Sequence, residues 1–370
     1  MDITKIVVTG GPCAGKSTAM SHIQEEFSQM GYAVLFVPET ATELITGGVA
    51  PWTCGSNTDF QKCQLDLQLA KERVFEAAAR TMPVEKALIV CDRGALDNKA
   101  YMDAGEFTKA LEAIDANEVE LRDGYDAVFH LVTAAKGAEE FYTTADNPAR
   151  TETIAEAAAL DDKLISAWTG HPHFRVIGNE GDFDTKMHHL VSEIASFLGE
   201  PEPFEIERKF LIAYPDLEWL AANPNCERIE IIQTYLVSPG ADEVRVRQRG
   251  ANGHYLYFKT TKRTVSAVKR VEVEQRLTQR EYLQLLMQAD TSKRQIRKDR
   301  YCLTYDGQYF EIDVYPFWND RAIVEIELAD ENAEISFPAQ LQVLADVTED
   351  DDYKNASLAR IDRVSKPLPE

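Results

Sequence analysis

The sequence predicts an α/β domain on a parallel sheet, followed by an α+β domain whose antiparallel strands form a sheet or closed barrel. Three observations carry this expectation. In the first part of the chain, short apolar strands at 6–9, 33–37, 87–91, 127–131 and 175–177 alternate with helical patterns at 18–30, 59–80, 96–116 and 153–168. Such alternation places helices on both faces of a parallel sheet. After residue 203 strands follow one another with period-two alternation, at 205–212, 227–236, 243–249, 255–260, 268–277, 297–305, 309–315 and 322–328. Between the two textures, Gly199-Glu200-Pro201-Glu202-Pro203 ends a helical run at 188–198 and reads as a linker. The expected domains are 1–199 and 204–370, joined at 200–203.

The first strand runs into Gly10-Gly11-Pro12-Cys13-Ala14-Gly15-Lys16-Ser17, a GxxxxGK(S/T) string, and Thr18 continues into a helix. In that strand–loop–helix context the string is a phosphate-binding loop. Its glycines let backbone N–H groups turn inward, and the helix N-terminus adds a favourable dipole. Lys16 reaches the β/γ-phosphates of a nucleotide, and Ser17 is placed to ligate Mg²⁺. Asp92 ends the apolar strand Ala87-Leu88-Ile89-Val90-Cys91, where a carboxylate can hold the metal's water shell.

Asp92-Arg93-Gly94, with Asp97 and Tyr101 following, resembles the DRG segment of thymidylate-kinase-like and ribosylnicotinamide-kinase-like P-loop proteins. Pro38-Glu39-Thr40 and Asn147-Pro148-Ala149-Arg150-Thr151-Glu152 resemble their PE segment and lid. The resemblance implies Glu39 as general base, Arg93 as the group orienting an acceptor, and Arg150 as the stabiliser of transferred charge. Read without it, Glu39 is equally a helix cap, and the two arginines are surface ion pairs.

In the second half many charged residues fall on the strand phase that should face inward. A barrel with a charged interior is a container for a charged ligand rather than an ordinary core. Glu205, Glu207 and Lys209 share one strand face. Arg245 and Arg247 form an RxR pair, Lys259 ends a strand, and Lys298 and Arg300 form a KxR pair. Glu272/Glu274, Glu311/Asp313 and Glu325/Glu327 are paired carboxylates. In this order these strings resemble the CYTH, or triphosphate tunnel, family over about 205–358, with 352–358 resembling its closing helix. The resemblance implies a tunnel holding a triphosphate. Lys209, Arg245, Arg247, Lys259, Lys298 and Arg300 would meet phosphate oxygens, since Arg grips them bidentately. Facing carboxylates are tolerable around such a ligand only with divalent metal between them, so Glu205, Glu207, Glu325 and Glu327 are assigned to Mg²⁺ or Mn²⁺. One of Glu272, Glu274 and Asp313 would activate water.

The net charge of −23 speaks against nucleic acid or an anionic membrane as partner, because phosphate surfaces recruit basic ones. A small phosphorylated ligand remains compatible through a local basic pocket. The six cysteines show no CxxC pair, and the expected setting is the reducing cytoplasm. No apolar run reaches membrane-spanning length. Fusion of a P-loop domain to a CYTH domain resembles bacterial P-loop/CYTH proteins and the TRPL translocation defect protein 14 group. Three functions are open at this level: a metal-dependent triphosphatase that also binds ATP or GTP, a nucleotide-regulated module recognising a phosphorylated ligand such as a phosphoinositide, and a small-molecule kinase.

Overall fold

The computed structural model describes residues 2–142, 153–200, 206–238, 243–264, 270–328 and 333–360. Arg150, Glu205 and the side chain of Glu272 lie outside this set. The chain divides into two compact units, Met1–Glu202 and Pro203–Glu370.

In the first unit the elements run β1 (Asp2–Gly10), α1 (Lys16–Gln29), β2 (Ala33–Val37), α2 (Thr40–Thr46), α3 (Asn57–Ala79), β3 (Lys86–Asp92), a 3₁₀ segment (Ala95–Tyr101), α4 (Ala104–Ala113), α5 (Glu118–Arg122), β4 (Ala127–Leu131), α6 (Ile154–Trp168), β5 (Phe174–Ile177) and α7 (Phe183–Leu198). The strands form a parallel sheet in the order β2-β3-β1-β4-β5. The β1–β3 register pairs Val8 with Asp92, so the carboxylate that ends β3 comes alongside the loop leaving β1. Both faces of the sheet are covered, which is why its strands read as near-continuous apolar runs. Ile6, Val8, Leu88, Val90 and Phe129 pack with Ile23 and Phe27 of α1 and Leu190 and Ile194 of α7. Trp168 of α6 approaches Val7 across Gly94 on the opposite side.

The helix expected at 96–116 is two pieces. Asp103 accepts from the Glu106 amide, and the Glu106 carboxylate accepts from the Asp103 amide. This capping box starts a new helix inside what reads as one periodic stretch.

The second unit contains β6 (Ile206–Ala213), α8 (Leu217–Ala222), β7 (Cys226–Tyr235), β8 (Glu243–Ala251), β9 (His254–Thr264), β10 (Arg270–Leu277), α9 (Gln279–Leu285), β11 (Ile296–Tyr305), β12 (Gln308–Val314), β13 (Arg321–Leu328), β14 (Val343–Asp346) and α10 (Asn355–Leu358). Its antiparallel sheet has the order β10-β9-β8-β7-β11-β12-β13-β6-β14. Glu207 on β6 and Lys262 on β9 are six strands apart in this order. In a flat sheet that is roughly 29 Å, at about 4.8 Å per strand. Yet the Lys262 charge acts directly on the Glu207 carboxyl, so the sheet is rolled and its concave face is the charged one.

The apolar phase faces outward and is covered. Phe210, Ile212, Leu303, Phe310, Ile312, Val324 and Ile326 pack with Leu220 of α8 and with Leu341. Val246 packs with Tyr282 of α9. One end of the charged phase is filled by Leu211, Tyr235, Ile296, Tyr315, Trp318, Tyr353 and Leu358. The small helices α8 and α9 and strand β14 do not stand out in the sequence, because each is too short to show a period.

Replacing Asp103 by Ala is expected to destabilise the first unit by about 0.5–2 kcal/mol. Thermal or denaturant unfolding beside wild type measures this, and an unchanged midpoint would rule out a helix start at this residue.

Candidate functional site

The loop between β1 and α1 is shaped by close approaches. Gly15 has φ 91°, and a Cβ there would lie 2.6 Å from the Phe183 ring, so only glycine fits. Lys16 is the first residue of α1, with Nζ 3.8 Å from Asp92 Oδ1. Burial, reinforced by the Arg93 charge, lowers the Lys16 pKa, and burial raises that of Asp92. Asp92 Oδ1 is buried and makes no hydrogen bond. An ammonium stripped of water beside an unsatisfied carboxylate oxygen is a poor resting arrangement. An anion on Lys16 and a cation on Asp92 relieve both.

Arg93 follows at φ 69°, a left-handed conformation that is costly for a residue with a side chain. Its Nε donates to Glu39 and its Nη1 lies 3.6 Å from Asp97 Oδ2. Asp97 is anchored in turn by the Thr9 hydroxyl at 2.8 Å and the Trp168 indole N–H at 2.6 Å. Burial alone would raise the Glu39 pKa, but the Arg93 and Lys16 charges outweigh it and hold the carboxyl at about 2. A general base works best with a pKa near the working pH. While paired to Arg93, Glu39 is an anion that orients the guanidinium.

The concave face of the second unit presents two unlike walls. On β8, Arg245, Arg247 and Arg249 stand in one row, with Thr260 of β9 opposite Arg245. Arg247 Nη2 bonds Glu274 Oε2 at 2.6 Å, but its Nε is buried without a hydrogen bond. Burial and the neighbouring Arg245, Arg249 and Arg300 charges pull the Arg247 pKa below the usual guanidinium range, against the attraction of Glu274. On the other wall, Arg300 is bidentate to Asp313, both contacts at 2.7 Å, and also bonds Glu311 and Glu325. Lys298 donates to Asp313, which has no exposed surface. Lys209 Nζ bridges Glu325 at 2.8 Å and Glu207 at 3.3 Å. Glu207 and Glu327 are directly opposed across β6 and β13. Burial and the Glu325 charge raise the Glu207 pKa.

Most of the residues named from the sequence therefore converge. Gly10–Ser17, Glu39, Asp92 and Arg93 meet at the C-terminal edge of the parallel sheet. Lys209, Arg245, Arg247, Glu274, Lys298, Arg300, Asp313, Glu325 and Glu327 lie on the charged phase. Lys259 is a correction. Its register partners are Val246 and Gln275, which places it on the opposite face from Arg245 and Arg247. The lysine of β9 on the charged face is Lys262, paired with Glu243 and Glu272 in register. Arg249 was also missed, although it extends the RxR string by one more alternate position. Asp161, whose role emerges below, carries no signal in the sequence at all.

Three comparisons bear on these sites. A family model described as an AAA domain matches residues 5–186, and one described as a CYTH domain matches 203–349. A curated protein of Nitrosomonas europaea named an inorganic triphosphatase is 36% identical over 159 residues, covering 42% of this chain and 96% of its own length. A crystal structure of an inorganic triphosphatase is 32% identical and covers 42% of this chain and 94% of its own, with a TM-score of 0.30. A solved protein from Pyrococcus horikoshii is 18% identical, covers 35% and 81%, and has a TM-score of 0.26.

The depressed Glu39 pKa fixes the sign of a pH effect. Its ion pair stabilises the first unit fully above about pH 4.5, and that contribution is lost as pH falls through about 2. Glu39→Gln should therefore flatten this part of the acid limb of the stability curve. Superimposable acid limbs for variant and wild type would rule the pair out.

Proposed function

Since the chain belongs to the CYTH family, carried on residues 203–349 behind an AAA domain at 5–186, we propose that its second half hydrolyses a triphosphate and its first half binds a nucleoside triphosphate. The observation that carries the proposal is the Arg245–Arg247–Arg249 row. Its middle guanidinium is buried, repelled by its neighbours and left with an unsatisfied Nε. A compact polyanion answers all three conditions at once. Inorganic tripolyphosphate and the triphosphate of a nucleotide share that chemistry.

Among the described residues no three His, Cys, Asp or Glu side chains are grouped to hold a metal ion, and the carboxylates of this face are those we assign to a divalent cation of the Mg²⁺ or Mn²⁺ type. The donors are all oxygen, which suits these cations, and Glu207 and Glu327 are opposed like charges. Glu205, Glu207, Glu325 and Glu327 are the ligands we assign. Bound there, the cation neutralises charge on the phosphoryl oxygens. Arg245, Arg247, Arg249 and Lys262 grip the chain of phosphates. Lys209 and Arg300 hold Glu325 in place from two sides. Asp313 is committed to Lys298 and Arg300, so Glu272 or Glu274 takes the proton from water. Water attacks the terminal phosphorus, its bond to the bridging oxygen breaks, and orthophosphate leaves.

In the first half, Lys16 meets the β/γ-phosphates, and Ser17 and Asp92 hold the Mg²⁺ of bound ATP or GTP. The strained Arg93 beside Lys16 favours phosphoryl transfer to a small acceptor over a pure switch. ADP formation in an acceptor screen tests this second reading. No described helix is long and apolar enough to cross a membrane, and no disulfide joins the described cysteines. The setting we propose is the reducing cytoplasm, with which six cysteines outside any disulfide are compatible.

Purified protein with Mg²⁺ or Mn²⁺ should release phosphate from tripolyphosphate or a nucleoside triphosphate. Arg247→Ala should lower kcat/KM by about 10²–10³, while Lys16→Ala leaves this activity intact. No release from any triphosphate by wild type would refute the hydrolase reading.

A further inference from the structure

The phosphate-binding loop is gripped from outside by one buried carboxylate. Asp161, in α6, has no exposed surface. Its Oδ1 accepts the Gly11 amide at 3.0 Å, the Thr133 amide at 3.2 Å and His130 Nε2 at 2.9 Å. Its Oδ2 takes the Lys136 ammonium at 3.0 Å. The Thr133 segment it holds reaches back to the same loop: the Thr133 hydroxyl donates to the Pro12 carbonyl, and the Ala134 amide to the Cys13 carbonyl at 3.4 Å. The outward polar groups of Gly11, Pro12 and Cys13 are thus satisfied by protein. Gly11 must lack a side chain because of this contact. A Cβ there would stand 2.8 Å from Asp161 Oδ1 and 3.0 Å from Thr133 Cβ.

We infer that Asp161 is a positioning residue for the nucleotide site, which fixes the outer rim of the loop so that the amides from Ala14 onward stay turned toward phosphate. The inference rests on the proposed nucleotide binding of the first half. An anion this close to a phosphate site would repel the ligand if it stood alone. Lys136 offsets its charge, and the His130 and backbone donors occupy its remaining lone pairs. Asp161 therefore acts on the ligand only through the loop it holds. The cost of losing it falls on the geometry of the site.

The test is nucleotide affinity of the full chain, measured with ATP and with GTP in the presence of Mg²⁺, for wild type, Lys16→Ala, Asp161→Ala, Asp161→Asn and Thr133→Val. Asp161→Ala should weaken binding by about tenfold or more, the loss of hydrogen bonds to a charged group. Asp161→Asn keeps one acceptor oxygen for the Gly11 amide and should recover most of the affinity. Thr133→Val, which removes the Pro12 bond and the bond its hydroxyl accepts from the Ala135 amide while leaving Asp161 in place, should give a smaller loss, and decides the matter if Asp161→Ala does not fold. Gly11→Ala should weaken binding in wild type and cost less in the Asp161→Ala background, where only the approaches to the Thr133 Cβ and the residue-161 Cβ remain. If Lys16→Ala abolishes binding while folded Asp161→Ala, or Thr133→Val where that variant does not fold, binds as wild type does, the inference is overturned and the nucleotide reading stands. If wild type binds neither nucleotide, or Lys16→Ala changes nothing, the nucleotide reading fails and takes the inference with it.

Discussion

Keeping guanidinium and ammonium groups away from water is costly unless something negative replaces the lost solvent. Both units are organised around that cost. On β8 three arginines occupy successive inward positions, and carboxylates reach the row at Glu274 without satisfying the Arg247 Nε. Across the rolled sheet the opposite solution holds. Arg300 is saturated by Asp313, Glu311 and Glu325, and Lys298 by Asp313. One wall is held in a state that an anion relieves, while on the other the Arg300 and Lys298 cations are already answered by carboxylates. That difference is why we propose the phosphate chain on the β8–β9 side, where Arg300 and Lys298, expected from the sequence to meet phosphate, hold carboxylates instead.

The same economy governs the parallel-sheet unit on a smaller scale. Lys16, Asp92, Arg93, Glu39 and Asp97 form one cluster in which each charge shifts its neighbours. Glu39 and Arg93 are paired, though Arg93 Nη1 is buried without a hydrogen bond, and Asp97 is fixed by Thr9 and Trp168. Lys16 and Asp92, at 3.8 Å, do not form a tight pair. Lys16 and Asp92 are left partly unanswered, as Arg93 Nη1 is, and they are the two that we propose a metal-bound nucleotide touches. Asp161 extends the pattern behind the loop, where Lys136 stands against its carboxylate.

Strand alternation is what delivers the charges of the second unit to one face, and it is unforgiving of a shift by one residue. Val246 and Lys259 pair with each other in the phase packed under α9, whereas Arg245, Arg247, Thr260 and Lys262 share the other. A lysine at a strand end looks the same in either phase until its partners are known. Arg249 and Lys262 join the face for the same reason that Lys259 leaves it.

Taken alone, the sequence determined the two-part architecture, the phosphate-binding loop with its lysine and strand-end aspartate, and the charged phase of the second half. These are local facts: a glycine-rich turn between strand and helix, a proline-rich break, and a period of two are written in neighbouring residues. Tertiary structure alone decided the rest. The curvature that brings Lys262 to Glu207 depends on nine strands together, and the register that separates Lys259 from Lys262 depends on two. The capping box at Asp103 overrode a helical period that looked continuous. The Glu39–Arg93 ion pair is likewise tertiary, since it joins residues 54 positions apart. Asp161 lies 150 residues from Gly11 and matches no motif. Its contact exists because α6 packs against the end of β4, and a hydrogen bond over that separation leaves no pattern in sequence for the eye to find.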